Sequence, residues 1–213
     1  MENRPQKQVA SAMFKRSKTL FLLLFILLTS CARHHIENKI VFDESNWQEG
    51  DLIFRLGRGM SSQIVNLADN KGSFSHVGFL IFDNGEWQVI HAVPDEANET
   101  DGKEVIKCEP VARFLGQDRC VDFAVMRYNS IDKIKPQVIM KAKEFWQQQP
   151  LFDHNYLLSD SSELYCTELI YRIFMSVGID VSEGRRHTFP LAKEPIIFPS
   201  DIIRNEAIMR IEN

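Results

Sequence analysis

The sequence lacks an apolar run long enough to cross a bilayer. The apolar core near its amino terminus, Leu20 to Leu28, has nine residues, whereas a spanning helix needs about 20. Five basic residues precede this core: Arg4, Lys7, Lys15, Arg16 and Lys18. Positive charge followed by a short apolar stretch is typical of a processing signal. We therefore predict that residues 1–30 are removed from the mature chain.

Positive charge is scarce after this segment. The whole chain carries a net charge of −4, and its first 30 residues hold five basic residues and one acid, so the remainder carries −8. An acidic surface argues against nucleic acid as a partner and against electrostatic attraction to anionic lipid. The remaining 183 residues suffice for one domain with a sizeable core, but hardly for two.

The end of the apolar core carries a short motif. Leu28-Thr29-Ser30-Cys31 resembles the bacterial lipobox, in which the cysteine is diacylated and becomes the first residue of the mature chain. The resemblance implies attachment to a bacterial membrane through Cys31, on the periplasmic or outer-membrane side of the cell envelope. We predict a tether over residues 31–46 and a domain over 47–213. An uncleaved anchor, or a secretory signal in which Cys31 is incidental, remains the alternative.

Cysteines are few. The chain has four, and only three remain if Cys31 is lipidated. An exported compartment permits disulfides. Cys108 and Cys120 flank a predicted turn and short helix, so they either form a bridge or remain reduced as apolar residues. Both alternatives leave Cys166 as a free thiol.

Cys166 begins a predicted helix that follows the polar stretch 151–163, and His76 opens an apolar run ninety residues earlier. A thiolate is far more nucleophilic than a thiol, and a helix amino terminus and an imidazolium both lower a cysteine pKa. If the fold brings the two residues together, we expect a thiolate and imidazolium pair. The two residues then indicate a thiol hydrolase.

A hairpin signal places a second histidine near the first. Asn84-Gly85 separates the apolar runs 75–82 and 87–93, and this dipeptide favours a two-residue turn. With that turn His76 and His91 share one face of the sheet as diagonal neighbours, about 7 to 8 Å apart. A three-residue loop would place His91 on the opposite face.

Other patterns predict the surrounding elements. We expect strands near Leu52 and over 105–108, 121–126 and 207–211, and a helix from about Ile131 to Gln149. Ser61 or Ser62 is expected to cap a helix that contains Ile64. Beyond Gly178 the prolines predict a mostly extended tail.

These residues resemble a known family, the permuted papain-like hydrolases of the YiiX/YebB type, relatives of the NlpC-type peptidases. The resemblance runs from about Gly50 to Ile202. It implies an α+β fold with an antiparallel sheet or small barrel packed against helices that include the nucleophile helix. It also implies Cys166 as nucleophile, His76 as base and then acid, and an orienting residue on the neighbouring strand. Its motifs are Gly50-Asp51-Leu52-Ile53, Ser75-His76-Val77-Gly78, Phe152-Asp153-His154-Asn155-Tyr156, Tyr165-Cys166-Thr167-Glu168-Leu169-Ile170 and Phe198-Pro199-Ser200-Asp201-Ile202.

The orienting position differs from the family pattern. Close relatives carry a carboxylate there, whereas His91 is the best candidate in this chain. We predict catalytic roles for Cys166, His76 and His91, with no cofactor. A metal site built from these three residues is disfavoured, because the sequence has no tight Cys/His ligand spacing.

The predicted function is a lipid-anchored hydrolase that cleaves amide or ester bonds through an acyl-thioester. Peptidoglycan peptides, other N-acyl amides and lipid-derived acyl groups are the substrate classes, and acyl transfer to an alcohol or amine stays open. The alternative is a catalytically silent envelope lipoprotein that binds peptide or lipid in the same groove. The presence of both Cys166 and His76 favours the enzyme, because a binding module has no chemical need for that pair.

Overall fold

A six-stranded antiparallel sheet forms the centre of the domain. The computed structural model describes residues 40–69, 72–94, 102–190 and 192–211. Its strands are β1 (Leu52–Gly57), β2 (His76–Asp83), β3 (Glu86–His91), β4 (Lys107–Pro110), β5 (Cys120–Tyr128), the parallel pair β6 (Leu151–Phe152) and β7 (Glu163–Leu164), and β8 (Ile208–Ile211). Its helices are α1 (Met60–Ala68), α2 (Val111–Phe114), α3 (Ile131–Gln148), α4 (Cys166–Met175) and α5 (Pro199–Ile203). The order of strands in the six-stranded sheet is β4-β3-β2-β1-β5-β8.

The sheet separates two apolar clusters, because successive side chains of a strand point to opposite faces. Helices α3 and α4 cover the first face, where Phe54 and Phe79 pack against Leu169 and Phe174. Helix α2 covers part of the second face, where Phe114 packs with a smaller set of buried side chains: Trp47, Ile53, Leu80, Val89 and Val125. The observed α+β architecture, with the nucleophile helix packed on an antiparallel sheet, confirms the predicted fold class.

The hairpin between β2 and β3 has the predicted two-residue turn. Asn84 and Gly85 both adopt positive φ, 51° and 87°, as a type I′ turn requires. The register pairs Asp83 with Glu86. His76 and His91 therefore share a face of the sheet, and the register prediction is confirmed.

Two local predictions differ from the structure. Helix α1 begins at Met60 with Gly59 as its N-cap, so the serines that we expected to cap it lie inside the first turn. The tail after Gly178 is not simply extended, because Pro199 at the first helical position starts α5. Ile40 and Phe42, which lie within the predicted tether, pack against the second apolar cluster.

Cys108, Cys120 and Cys166 are all free thiols. Cys108 packs against the first apolar cluster and Cys120 belongs to the second. A disulfide needs Cβ atoms about 4 Å apart, and two side chains on opposite faces of one sheet do not meet. Of the two alternatives for Cys108 and Cys120, the structure has the reduced one.

The predicted signal, the lipobox and Cys31 lie outside the described residues. Within the residues that the structure describes, no helix combines the length and the apolar character that a membrane span requires.

Candidate active site

Cys166 is the first residue of α4. Tyr165 precedes it in an extended conformation, with φ −96° and ψ 168°, so the chain enters the helix directly from β7. Leu169, Ile170 and Ile173 on this helix are fully buried, which fixes the helix on the first face of the sheet. The positive end of the helix dipole therefore lies at the sulfur.

The start of β2 meets the start of α4. The backbone N–H groups of Val77, Thr167 and Cys166 itself lie near enough to the Cys166 sulfur to lower its pKa, and Val77 is the neighbour of His76. Cys166 and His76 line the same cleft, which is mainly apolar; its other lining residues are Arg55, Ser61, Ser62, Val65, Ser75, Val93, Pro94, Phe152, Tyr156 and Tyr165. The structure therefore brings the predicted nucleophile and the predicted base to one site.

His76 and His91 are in direct contact. The Nε2 atom of His76 lies 3.0 Å from Nδ1 of His91, and both rings are buried. The ring of Phe114 packs against both, with centroids 5.6 Å from His76 and 5.0 Å from His91. Gly78 lies across the ladder from His91, where an added Cβ would be 3.3 Å from the His91 Cβ and would collide with Val89. The histidine pair thus needs a glycine opposite it.

The electrostatics of the cleft oppose the expected thiolate and imidazolium pair. Burial raises the pKa of the Cys166 thiol to about 11, although the surrounding N–H groups and Arg55 oppose the rise. Burial also lowers the pKa of His76 well below its ordinary value, and Arg55 and His91 lower it further. Both effects favour the neutral forms, because a buried site penalises charge. The two pKa shifts therefore oppose the thiolate and imidazolium pair that the sequence led us to expect.

A carboxylate contacts His91 on the side of the ring that faces away from His76. The Nε2 atom of His91 lies 3.1 Å from Oε1 of Glu109 on β4, and Arg119 Nη1 donates to both carboxylate oxygens at 3.1 and 3.2 Å. Burial alone would raise the pKa of Glu109, but its hydrogen bond and electrostatic interaction with His91 and the charges of Arg119 and Arg55 hold it at about 2. Glu109 is therefore ionised at neutral pH.

Arg55 adds a buried positive charge to the site. It pairs with His76 in the register of β1 and β2 and is 3% exposed. Its Nη1 donates to the Phe114 carbonyl at 2.7 Å, and its guanidinium lies 4.5 Å from the centroid of the Phe114 ring. Phe114 thus packs against Arg55 and both histidines.

Arg55, Glu109 and Arg119 were not predicted as site residues. Arg55 gives a signal in retrospect, since a charged residue inside the apolar strand Leu52-Ile53-Phe54-Arg55-Leu56 requires a buried partner. Glu109 gives none, because it stands in a short strand whose register cannot be read from the sequence.

Two residues of the motif Phe152-Asp153-His154-Asn155-Tyr156 have structural contacts. His154 lies against Glu104, with Nε2 and Oε2 2.5 Å apart, in a neighbouring depression. Asp153 is buried and accepts the backbone N–H groups of Asn155 and Tyr156 at 2.7 and 2.9 Å, which shapes the loop that carries Tyr156 to the cleft.

Within the described ranges, no three or more His, Cys, Asp or Glu side chains are grouped so as to hold a metal ion. In the site itself, the facing nitrogens of His76 and His91 share a hydrogen bond. The described residues of this site therefore do not fit a resident metal.

A cysteine at the start of a buried helix, facing a histidine on an antiparallel sheet, is the arrangement of the papain-like thiol hydrolases. In this chain the histidine precedes the cysteine, so the order is permuted. Residues 46–192 match the pattern of a family described as permuted papain-like amidase enzyme, YaeF/YiiX, C92 family. The chain belongs to that family, which confirms the resemblance seen in the sequence.

Two relatives from Escherichia coli are also similar to the chain. The uncharacterized protein YiiX of strain K12 is 23% identical over 141 residues, which cover 65% of this chain and 63% of that protein, so the match spans less than two thirds of the relative. The crystal structure of YiiX from O157:H7, titled a metalloprotein, covers 78% of this chain and 97% of its own, with a TM-score of 0.61 and 19% identity. At that identity the likeness concerns the fold alone.

Proposed function

We propose that the chain is a lipid-anchored cysteine hydrolase of the bacterial cell envelope, which cleaves amide or ester bonds of substrates that carry an apolar acyl group. One observation carries the proposal: Cys166 and His76 line the same cleft, at the start of a helix. Membership of a papain-like amidase family supports the reaction class.

The neutral resting pair defines the order of proton transfers. His76 accepts the Cys166 proton as the sulfur attacks the acyl carbon, so charge separation coincides with bond formation. Backbone N–H groups at the start of α4 stabilise the oxyanion. The His76 imidazolium then protonates the departing amine or alcohol, which leaves an acyl-thioester on Cys166. Water, deprotonated by His76, hydrolyses this thioester and restores the neutral pair.

The walls of the cleft favour an apolar acyl group over a charged one. Val65, Val93, Pro94 and Phe152 contribute aliphatic and aromatic surface beside the thiol. Helix α1, which carries Val65 into the cleft, exposes a row of apolar side chains on its outer side: Met60, Ile64 and Leu67, at 77%, 61% and 81%. A long acyl chain that leaves the cleft over α1 would cover part of this surface.

The experiment compares purified domain variants on two substrate sets, N-acyl amides with long acyl chains and peptidoglycan fragments, with products identified by mass. We expect the wild type to release fatty acid from the first set. Cys166→Ala should abolish both turnover and labelling by a thiol-directed activity probe. His76→Ala should leave about 1% or less of each rate, as is usual for loss of a general base.

Cys108→Ala is the matched control, because it removes a free thiol that lies outside the cleft. It should keep wild-type labelling and turnover. Full activity in Cys166→Ala would overturn the enzyme proposal. Turnover of peptidoglycan fragments but not of N-acyl amides would instead overturn the proposed substrate class.

A further inference from the structure

Four side chains form a continuous row behind His76, in which the two histidines are buried and the other two side chains are partly buried. It runs from His76 to His91, then to Glu109, and ends at Arg119, through contacts of 3.0, 3.1 and 3.1 Å. The row crosses β2, β3 and β4 laterally. The sequence resemblance assigned a role to His91 in this row, but none to Glu109 or Arg119.

The ionised carboxylate decides which ring nitrogens carry protons. A carboxylate can only accept hydrogen bonds, so His91 Nε2 must donate to Glu109. A neutral His91 then has its lone pair on Nδ1. The facing His76 Nε2 must therefore donate to that lone pair. This leaves His76 Nδ1 without a proton, as the ring atom that can act as a base toward Cys166.

We propose that Glu109, held by Arg119, is a positioning residue that fixes the tautomers of both histidines and so keeps His76 Nδ1 free to deprotonate Cys166. The inference rests on the proposed function, because it assigns a reason for the reactivity of that same site. The hydrogen-bond pattern is the same before and after His76 accepts the thiol proton, since its Nε2–H donates to His91 in both states. Proton transfer therefore needs no reorganisation behind the ring.

The charges around the row suit this role. Arg55 lies beside His76 across the β1 and β2 ladder, Lys107 lies across from His91 on β4, and Arg119 contacts Glu109. All three are positive and disfavour an imidazolium. Glu109 is the carboxylate in direct contact with His91, so it offsets the charge that develops on His76 during the reaction.

Glu109→Gln tests the assignment with a side chain of the same shape. Arg119 can only donate, so it should hold the new amide oxygen and leave the amide N–H₂ facing His91. His91 would then accept at Nε2, donate from Nδ1 and force the proton of His76 onto Nδ1. We expect kcat to fall about 10- to 100-fold with little change in KM, as for partial loss of a general base. Glu104→Gln, at the exposed His154 pair, is the matched control and should retain wild-type kcat.

Nitrogen-15 NMR of the histidine rings measures the tautomers directly. We expect both His76 and His91 to carry their protons on Nε2 in the wild type at pH 7.5, and on Nδ1 in Glu109→Gln. A proton on Nδ1 of either ring in the wild type would overturn the proposal, whether or not the variant folds or a substrate is turned over. Equal kcat in Glu109→Gln and Glu104→Gln would overturn it while leaving the hydrolase intact, whereas an inactive wild type with both protons on Nε2 would count against the hydrolase alone.

Discussion

The thiol of Cys166 and the ring of His76 are both held in their neutral forms by burial. The pKa of Cys166 is raised to about 11, and that of His76 is lowered well below its ordinary value. Each shift disfavours the charged form of its group, so the two together oppose an ion pair at rest. The site is arranged to form charge during the attack, when the oxyanion and imidazolium arise together.

Alkylation of Cys166 by iodoacetamide should therefore rise steadily with pH toward about 11, because the uncharged reagent reacts with the thiolate. Mass spectrometry of the peptide that contains Cys166 gives the rate without interference from other thiols. A rate that is already constant from pH 5 upward would reveal a resting ion pair and contradict the neutral state. Substrate turnover should persist to lower pH than for a histidine of ordinary pKa, because burial lowers the pKa of His76.

The candidate roles of individual residues could be predicted where a sequence motif indicated them. Cys166 and His76 follow from their positions at a helix start and a strand start, and His91 follows from the turn at Asn84-Gly85. The neutral resting state was not predictable, since it depends on how deeply the cleft is buried. Glu109 reaches His91 through the pairing of β3 with β4, which no local pattern specifies.

At the scale of elements, α4 contains a buried acid as well as the nucleophile. Glu168 is fully buried, and its Oε1 accepts from Arg172 Nε at 2.7 Å. Burial raises the pKa of Glu168 to about 8, although Arg172 and the backbone N–H of Tyr165 lower it and Asp153 raises it. Because the unfolded carboxyl titrates near 4.5, the folded state retains a proton that the unfolded state loses between these values. This group therefore lowers the free energy of unfolding as pH rises from about 4.5 to about 8.

Glu168→Gln should remove that pH dependence, because the amide resembles the protonated acid. The free energy of unfolding of the variant, relative to wild type, should increase with pH across this window by up to about 1.4 kcal/mol per pH unit. Urea denaturation at several pH values provides the measurement. Glu144→Gln on the exposed side of α3 should show no such trend, and parallel curves for wild type and Glu168→Gln would refute the argument.

Strands and helices were predicted correctly where the spacing of apolar residues was clearly periodic. The strands β1, β2 and β3 and the helix α3 have strong apolar patterns, and their existence could be read directly. Helix α5 was missed, since its five residues are too few to establish a helical period. The cap of α1 was misplaced because glycine is also common at the N-cap, although serine is preferred there.

At the scale of the whole molecule, the proposed lipid anchor depends on Cys31, which lies outside the described residues. Expression of the full chain in a bacterium should give a membrane-associated protein whose mature amino terminus is a diacylated Cys31. Cys31→Ala should remove the lipid mass and release the protein from the membrane fraction, because the acidic remainder has no electrostatic attraction to anionic lipid. Intact-mass measurement decides the matter, and an unmodified terminus at another residue would exclude the lipoprotein hypothesis.

The architecture was predictable because five short motifs occur in a family-specific order along nearly the whole domain. Their resemblance to that family implied the permuted papain-like fold, which the family match confirms. The strand order of the sheet was not predictable from periodicity, because pairing between distant strands such as β1 and β5 leaves no local trace. The assignment of Cys108 and Cys120 to opposite faces of the sheet follows from that pairing.

The lateral row of side chains across β2, β3 and β4 lies beside the start of α4, and this arrangement bears on the evolution of the domain. The helix supplies the sulfur and the strands supply the histidines, so their proximity is independent of which element is translated first. A gene rearrangement that joins the old ends and opens a loop elsewhere can therefore reorder the motifs while the chemistry survives. The reversal of histidine and cysteine relative to papain is the kind of change that such a site tolerates.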